Sequence, residues 1–414
     1  MSSTLALDFG TSNSAAAMLS GGNIRRLAIE SGGDTLPTAV FFPAEGGPML
    51  IGARAIAALI GGEEGRFMRA MKSVLGTGLF HESRLIAGKR RTLAGVVTTF
   101  LQTVKERAEA EAGQTFDRLL CGRPVHFHST DSARDQQAEA DLRACCLAAG
   151  FAEVAFRFEP EGAALATHGQ GAENEVGIIL DIGGGTSDFT VYERRDGRLV
   201  ILASHGIRLG GTDFDKALSM THAMPWLGLG SQLRREMGPG LLPVPRHLYL
   251  DLSTWAKIPF LYNAETRAEV AGMVKLATKP RLMGRLATVL RDEMGHDLAF
   301  AVEAGKIAAN GTEAARIDLS RIEAGLAPPI TQNSMEKVLS RHRALLQEAA
   351  LQTCQMAGTP PERIGAVVHV GGSSLMRIVG QVARDLFPNA VARQAEPFTA
   401  VVDGLALATG LEKP

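Results

Sequence analysis

Three consecutive glycines between two β-prone runs constrain this chain more than any other feature. Ile178 to Val191 reads I-I-L-D-I-G-G-G-T-S-D-F-T-V. An apolar run reaching an aspartate, then glycines and Thr-Ser-Asp, then a second β-prone run predicts a strand, a tight turn and a returning strand. Gly183, Gly184 and Gly185 can take backbone angles closed to other residues, which lets main-chain N–H groups approach polyphosphate oxygens. Thr186 and Ser187 add hydroxyls, and Asp181 at the strand end offers a carboxylate that can hold magnesium through its waters. A glycine-rich turn by itself serves equally as an ordinary structural hairpin.

A second copy of the pattern stands at the N-terminus. Leu5 to Met18 reads L-A-L-D-F-G-T-S-N-S-A-A-A-M, so Asp8 and Gly10-Thr11-Ser12-Asn13 echo Asp181 and the later turn. Related hairpins in two halves of a chain point to a duplicated fold that grips one ligand between lobes. On these motifs the chain resembles the nucleotide-binding region of the DnaK-type, seventy-kilodalton heat-shock chaperones, within the actin and hexokinase superfamily. The likeness is greatest to their truncated YegD-like branch. The resemblance implies an α/β protein of two ribonuclease-H-like lobes with ATP or ADP and Mg2+ in the cleft between them. Lobe I would span 1–178 with a peripheral subdomain at about 38–115. Lobe II would span 179–414, with a peripheral subdomain at about 223–300 and a final helix packing back toward lobe I.

Composition narrows the function classes. The 414 residues are 45% hydrophobic and 21% charged, enough for two or more domains with a large core. A net charge of -1 offers no global field for nucleic acid or an anionic membrane, and Lys89-Arg90-Arg91 reads as a solvated loop. Neither a leader peptide nor a membrane-spanning run is visible, so the cytosol is expected. Cys121, Cys145, Cys146 and Cys354 lack metal-ligand spacing and read as reduced core residues.

The resemblance then assigns roles residue by residue. Lys72, in G-R-F-M-R-A-M-K-S-V-L-G, falls where the family carries a lysine to the γ-phosphate and the attacking water; otherwise it is a surface lysine on an amphipathic helix. Glu159 precedes Pro160 in V-A-F-R-F-E-P-E-G-A-A-L-A-T, a strand-Glu-Pro-helix element that ends at Thr167; the glutamate reaches a magnesium-bound water or simply caps the helix. Asp8, Asp181 and Asp188 correspond to magnesium and water ligands, and Gly210 and Gly211 to phosphate-side glycines ahead of a helix starting near Asp213. Glu303, Lys306 and Asn310, on the alanine-rich helix 298–311, match contacts to ribose and base. An ordinary ion pair is the plainer reading of the first two. Gly371, Gly372 and Ser373 match the adenosine turn, while the two arginines that stack on adenine in the family are replaced by Ile307 and Leu375.

Other stretches are read from pattern. Phe116 to Phe127 is a core strand with His126 and His128 on one face; Ser132 to Gly150 is a helix; Asp196-Gly197 is a two-residue turn; and Ala395 to Gly410 is the last helix. The apolar stretch from Pro225 to Tyr262 is either a partner surface or a rebuilt subdomain core. No Walker or kinase signature competes. The expected function is a slow Mg-dependent ATPase that switches a protein partner or co-chaperone and lacks a peptide-binding clamp domain. The alternatives are a small-molecule kinase of the same superfamily and a nucleotide-binding module without turnover.

Overall fold

The computed structural model describes residues 3–86, 88–128, 131–166, 172–195, 198–312, 314–393, 396 and 398–410. It divides into two compact units, Met1–Gly210 with Leu345–Pro414, and Gly211–Ala344.

The first unit is built on two mixed sheets. In the first sheet β1 (Ser3–Phe9), β2 (Asn13–Ser20), β3 (Asn23–Leu27), β4 (Phe116–Arg123) and β5 (Glu153–Phe158) lie in the order β5-β4-β1-β2-β3, with Leu36–Pro37 also paired to β2. In the second, β6 (Val176–Ile182), β7 (Ser187–Arg195), β8 (Arg198–Ile207), β9 (Ala366–Val370) and β10 (Val391–Arg393) lie in the order β8-β7-β6-β9-β10. Each sheet is an antiparallel three-strand meander with two parallel strands added on the far side of its first strand. The repeat visible in the two hairpin sequences is therefore also a repeat of topology. The turn at Asp196-Gly197 lies outside the described residues, but the strands on either side pair as that turn requires.

Helix α1 (Leu93–Ala112) begins where the Thr92 hydroxyl accepts from the Gly95 N–H, and α2 (Ser132–Ala148) where the Asp131 carboxylate accepts from Arg134. Phe100, Val104, Leu142 and Cys146 from these helices share a core with Leu5, Leu7 and Phe9 of β1. A second core lies between the sheets. There α3 (Glu159–Ala166) and α4 (Ala400–Thr409) pack Ala163, Ala164, Val401 and Leu405 against Ala6, Ala15 and Leu120 of one sheet and Ile179 and Val368 of the other. Small residues let the two helices cross at backbone distance. A methyl group on Gly404 would lie 1.7 Å from the Gly162 carbonyl oxygen.

Several boundaries differ from expectation. The strand from Phe116 ends at Arg123, since Pro124 has no N–H to donate to a ladder. His126 and His128 therefore do not share a strand face: His128 Nε2 lies 2.8 Å from the Leu75 carbonyl oxygen, and His126 Nδ1 lies 3.9 Å from Asp135. The last helix begins at Ala400; Ala395 and Thr167 lie outside the described residues. Lys89–Arg91 is a strand, paired with Arg84–Ile86, where a solvated loop was expected.

The second unit contains the helices Gly211–Leu218, Ala264–Leu276, Pro280–Arg291 and Gly295–Gly311. Part of its apolar stretch forms a core: Leu227, Leu248, Tyr249, Leu252 and Ile258 are buried with Met283 and Leu286, and the Tyr249 hydroxyl donates to the Leu227 carbonyl at 3.1 Å, while Trp226, Met237, Leu241, Leu242 and Phe260 are exposed. Arg285 donates to both carboxylate oxygens of Glu323 at 2.8 and 2.9 Å and to the Trp226 carbonyl at 3.1 Å. Among the described residues no helix is long and apolar enough to cross a membrane, and all four cysteines are buried without a disulfide.

Candidate functional site

The two predicted turns sit at the same end of their first strands and meet each other. Asp8 lies near the end of β1 and Asp181 near the end of β6, followed by the half-buried turns Gly10–Ser12 and Gly183–Thr186, with Asn13 opening β2. A methyl on Gly184 would come within 2.4 Å of the Ser12 Oγ, so the second turn closes on the first at this hydroxyl. Gly210 closes on the same place, because a methyl there would lie 2.6 Å from the Gly185 nitrogen. The Ser187 hydroxyl fixes that approach by donating to the Leu209 carbonyl at 2.6 Å. Gly183, Gly184 and Gly185 do not take the left-handed backbone angles expected of them. At Gly184 the glycine serves close packing instead.

Lys72 is not a surface residue. The strand Gly65–Arg69 leads through Ala70, held at φ 60°, into the 3-10 turn Met71–Val74, which turns the lysine inward until it is 9% exposed. Its ammonium donates to Glu159 Oε1 at 2.6 Å. Glu159 is itself 9% exposed and begins α3, with Pro160 in the first turn, where a missing N–H costs nothing. Asp188 faces Asp181 across the ladder between β6 and β7, so both carboxyls leave the same face.

The electrostatics follow from this convergence. Four carboxyls, of Asp8, Glu159, Asp181 and Asp188, act on one another around a single ammonium, that of Lys72. Burial, with the Glu159 charge next, raises the Asp8 carboxyl to about 8. Burial and Glu159 likewise raise Asp188 to about 7, against a hydrogen bond from Thr186, and hold Asp181 well above the usual carboxylate range. For Lys72, burial works against the ammonium but the charges of Glu159 and Asp8 outweigh it, and its pKa is raised.

Such a donor set fits a divalent cation carried by a polyphosphate. Once deprotonated, the carboxyls supply negative charge in excess of the one lysine, and the backbone at Gly185 is open, with no atom within 4 Å of an added methyl. Among the described residues no three His, Cys, Asp or Glu side chains are placed to hold a metal by themselves. A cation here would be held through waters and phosphate oxygens, as hard, strongly hydrated Mg2+ prefers.

The turn Gly371–Ser373 follows β9, next to β6. Gly371 has φ 78°, and a methyl on it would lie 2.5 Å from the Ile182 carbonyl oxygen and 2.9 Å from Asp181 Oδ1. The turn thus abuts the acidic cluster directly. Leu375, two residues on, is 53% exposed.

Gly211, Glu303, Lys306 and Asn310 belong to the second unit. Gly211 opens the helix Gly211–Leu218. Lys306 is buried, its ammonium 2.8 Å from Asp215 of that helix, so the surface pair with Glu303 is not the arrangement found. Glu303 and Asn310 are half-buried, and Ile307 is 62% exposed.

Three supporting residues escaped sequence reasoning. Thr38 donates its N–H to the Ser12 carbonyl at 2.9 Å, and its hydroxyl lies 2.8 Å from that of Ser14, which anchors the first turn. Phe398 lies against Gly372. None of these carries a motif; a threonine before two β-prone residues and a phenylalanine after a proline are unmarked in sequence.

The chain is similar in sequence to known proteins. Residues 81–225 match the family described as Hsp70 protein, a stretch that holds Glu159, the second turn, Asp188 and Gly210. The chain is 27% identical to the chaperone protein DnaK of Methanothermobacter thermautotrophicus over 417 residues, which covers 98% of this chain and 59% of that protein. Against the DnaK of Elusimicrobium minutum it is 27% identical over 421 residues, 99% of this chain and 58% of the other. With the DnaK of Endomicrobium trichonymphae identity reaches 32% over 226 residues, 53% of this chain and 34% of that one. The chain spans under six-tenths of the length of these curated relatives. Over its own whole length it is similar to DnaK chaperone proteins, and over residues 81–225 to the Hsp70 family.

Proposed function

We propose that the chain is a nucleotide-binding module of the Hsp70 type, with the actin-like ATPase fold and ATP or ADP with Mg2+ as its ligands. It hydrolyses ATP slowly and passes its nucleotide state to a protein partner in the cytosol. The repeated five-strand order supports two ribonuclease-H-like lobes. The YegD-like branch remains the nearest assignment on the sequence motifs.

The observation that carries this reading is the buried Lys72–Glu159 pair standing among three further carboxyls where two glycine turns meet. Asp8 and Asp181 would hold magnesium through its waters, with Asp188 beside them. Thr11, Ser12, Asn13, Gly183 to Thr186, Gly210 and Gly211 would receive the phosphates. Lys72 neutralises charge at the terminal phosphate, and Glu159 holds the lysine in place and orients water. Gly371, Gly372 and Ser373 take the adenosine end.

A single-turnover measurement of phosphate release with Mg-ATP tests the assignment, parent protein beside Lys72→Ala. The variant is expected to lose roughly 10²–10³ in rate, as the loss of one preorganised charge-stabilising contact does. Equal rates in the two proteins would refute the role of Lys72. A second reading, nucleotide held without turnover, is favoured by the exposed aliphatic residues Ile307 and Leu375 at the positions of the stacking arginines. In that case the parent binds ADP and releases no phosphate.

A further inference from the structure

The family's two base-stacking arginines are absent, yet the turn they would flank is not bare. A methyl on Gly372 would lie 2.8 Å from Phe398 Cε1, 3.3 Å from Cζ and 3.8 Å from Cδ1. The phenyl ring therefore lies on the bare backbone of Gly372, and any side chain there would displace it. Phe398 is nonetheless 46% exposed, so one part of its ring is covered by the glycine and the rest is open. Its position is held from the adjacent turn, where the Thr399 and Ala400 N–H groups both donate to the Glu396 carbonyl, at 3.1 and 2.8 Å.

Three contacts then run in sequence through the first unit. Asp181 belongs to the acidic cluster; Gly371 abuts Asp181; Gly372 abuts Phe398. A ligand whose phosphates and cation sit at the cluster has, along this path, a half-open aromatic face at its far end. Leu375, on the same turn, is also exposed. Burying a large aromatic is the usual outcome for a chain, so a ring seated on a glycine and left open is suited to receiving a flat partner.

We infer that Phe398 is the stacking platform for the base of the bound nucleotide, in place of the missing arginines, and that it favours purines for their larger face. This rests on the nucleotide-binding reading above. An aromatic platform differs from an arginine in kind: it contributes stacking and dispersion without charge, so base affinity at this position is insensitive to salt, unlike affinity at the phosphates.

The test uses the full chain and reads binding, not turnover. Affinities for Mg-ADP, Mg-CDP and magnesium tripolyphosphate are measured by calorimetry for the parent, Phe398→Leu and Phe398→Ala. Each variant is first matched to the parent by thermal melt. Loss of one base–aromatic stack is expected to weaken ADP about 5- to 30-fold in both variants, leaving tripolyphosphate unchanged and narrowing the ADP-to-CDP ratio. In Phe398→Trp the new indole is expected to be quenched by ADP and not by tripolyphosphate, after subtraction of the parent signal from Trp226 and Trp255. If the parent prefers ADP to tripolyphosphate and Phe398→Leu binds ADP equally well, the platform is overturned while nucleotide binding stands. If the parent binds neither ligand, both readings fall.

Discussion

Gly404→Ala is the substitution whose outcome the structure predicts most directly. A methyl on Gly404 would stand 1.7 Å from the Gly162 carbonyl oxygen and 2.5 Å from its carbon, both backbone atoms that cannot rotate away. Non-bonded atoms need roughly 3.4 Å or more, so α3 and α4 must part by about 1.5 Å. Both helices are packed between two sheets, with Ala163, Ala164, Val401 and Leu405 fully or nearly fully buried, so the displacement has no free side to relax into. Overpacking of this kind typically costs about 1–3 kcal/mol, and a backbone clash belongs at the upper end. At roughly 2–4 °C per kcal/mol for a domain of this size, the melting temperature is expected to fall by about 5–10 °C. The same movement reaches the site, because Glu159 begins α3 and its bond to Lys72 is only 2.6 Å long. Misplacement by about 1 Å can cost 10²-fold in rate, so single-turnover phosphate release is expected to fall at least tenfold even well below the melting temperature. Gly272→Ala, in the helix Ala264–Leu276 with no atom near the added methyl, is the control and should be neutral or slightly stabilising. A Gly404→Ala protein that melts within about a degree of the parent and releases phosphate at the parental rate would refute the close crossing and its coupling to Glu159.

The nucleotide-free protein should lose stability as pH rises. Asp8 and Asp188 bind protons more tightly folded, at about 8 and about 7, than at their ordinary value of 3.8, so the folded state holds extra protons between those limits. Their stabilising contribution is present below about pH 4 and is lost as pH climbs through the folded values; thermal melts across pH 5 to 8 should show the decline, and Mg-ADP should offset it most at the alkaline end. Calorimetry in two buffers of different ionisation enthalpy should detect proton release on Mg-ADP binding, and its absence would count against these carboxyls as the cation's partners. Ser187→Ala removes the 2.6 Å bond to the Leu209 carbonyl and should cost about 1–3 kcal/mol in denaturant melts, because a buried acceptor loses this donor. Since that bond seats Gly210 against the second turn, the same variant should bind tripolyphosphate more weakly, a change that loss of stability alone does not produce.

What was legible in the chain was what repeats or what breaks a pattern. The two Asp-Gly-Thr-Ser turns sit where their apolar runs end, and the Glu-Pro junction opens a helix because proline fits only the first turn. The apolar stretch from Pro225 to Tyr262 divides: Leu227, Leu248, Tyr249, Leu252 and Ile258 are core, while Trp226, Met237, Leu241, Leu242 and Phe260 stay exposed. The misreadings share a cause. His126 and His128 alternate as strand residues do, but alternation cannot reveal that the ladder stops at Arg123. Lys89-Arg90-Arg91 is charged like a loop and pairs as an edge strand, since exposure sets composition there and pairing does not. Lys72 owes its burial to the left-handed Ala70 and to a glutamate 87 positions away, and no local window contains either relation. The same holds for Phe398, whose meaning lies in a contact with Gly372.

The pairing of Lys72 with Glu159 also bears on which event, occupancy or hydrolysis, does the work of a switch. On the proposed reading a terminal phosphate and Glu159 compete for one ammonium. With the phosphate present, Lys72 divides its three donors between them; without it, the glutamate holds the lysine alone at 2.6 Å. Any shift of Glu159 is a shift of the first residue of α3. Elsewhere in a core, such a shift could be absorbed by side chains changing rotamer, but where Gly162 of α3 meets Gly404 of α4 backbone lies against backbone. Movement must then pass to α4, and α4 packs against β1, β2, β3 and β4. A change in who holds the Lys72 ammonium is in this way a change in the seating of a helix on the first sheet. It requires the phosphate to arrive or leave, whether by hydrolysis or by exchange, and so slow chemistry at this site is compatible with a decisive response to occupancy.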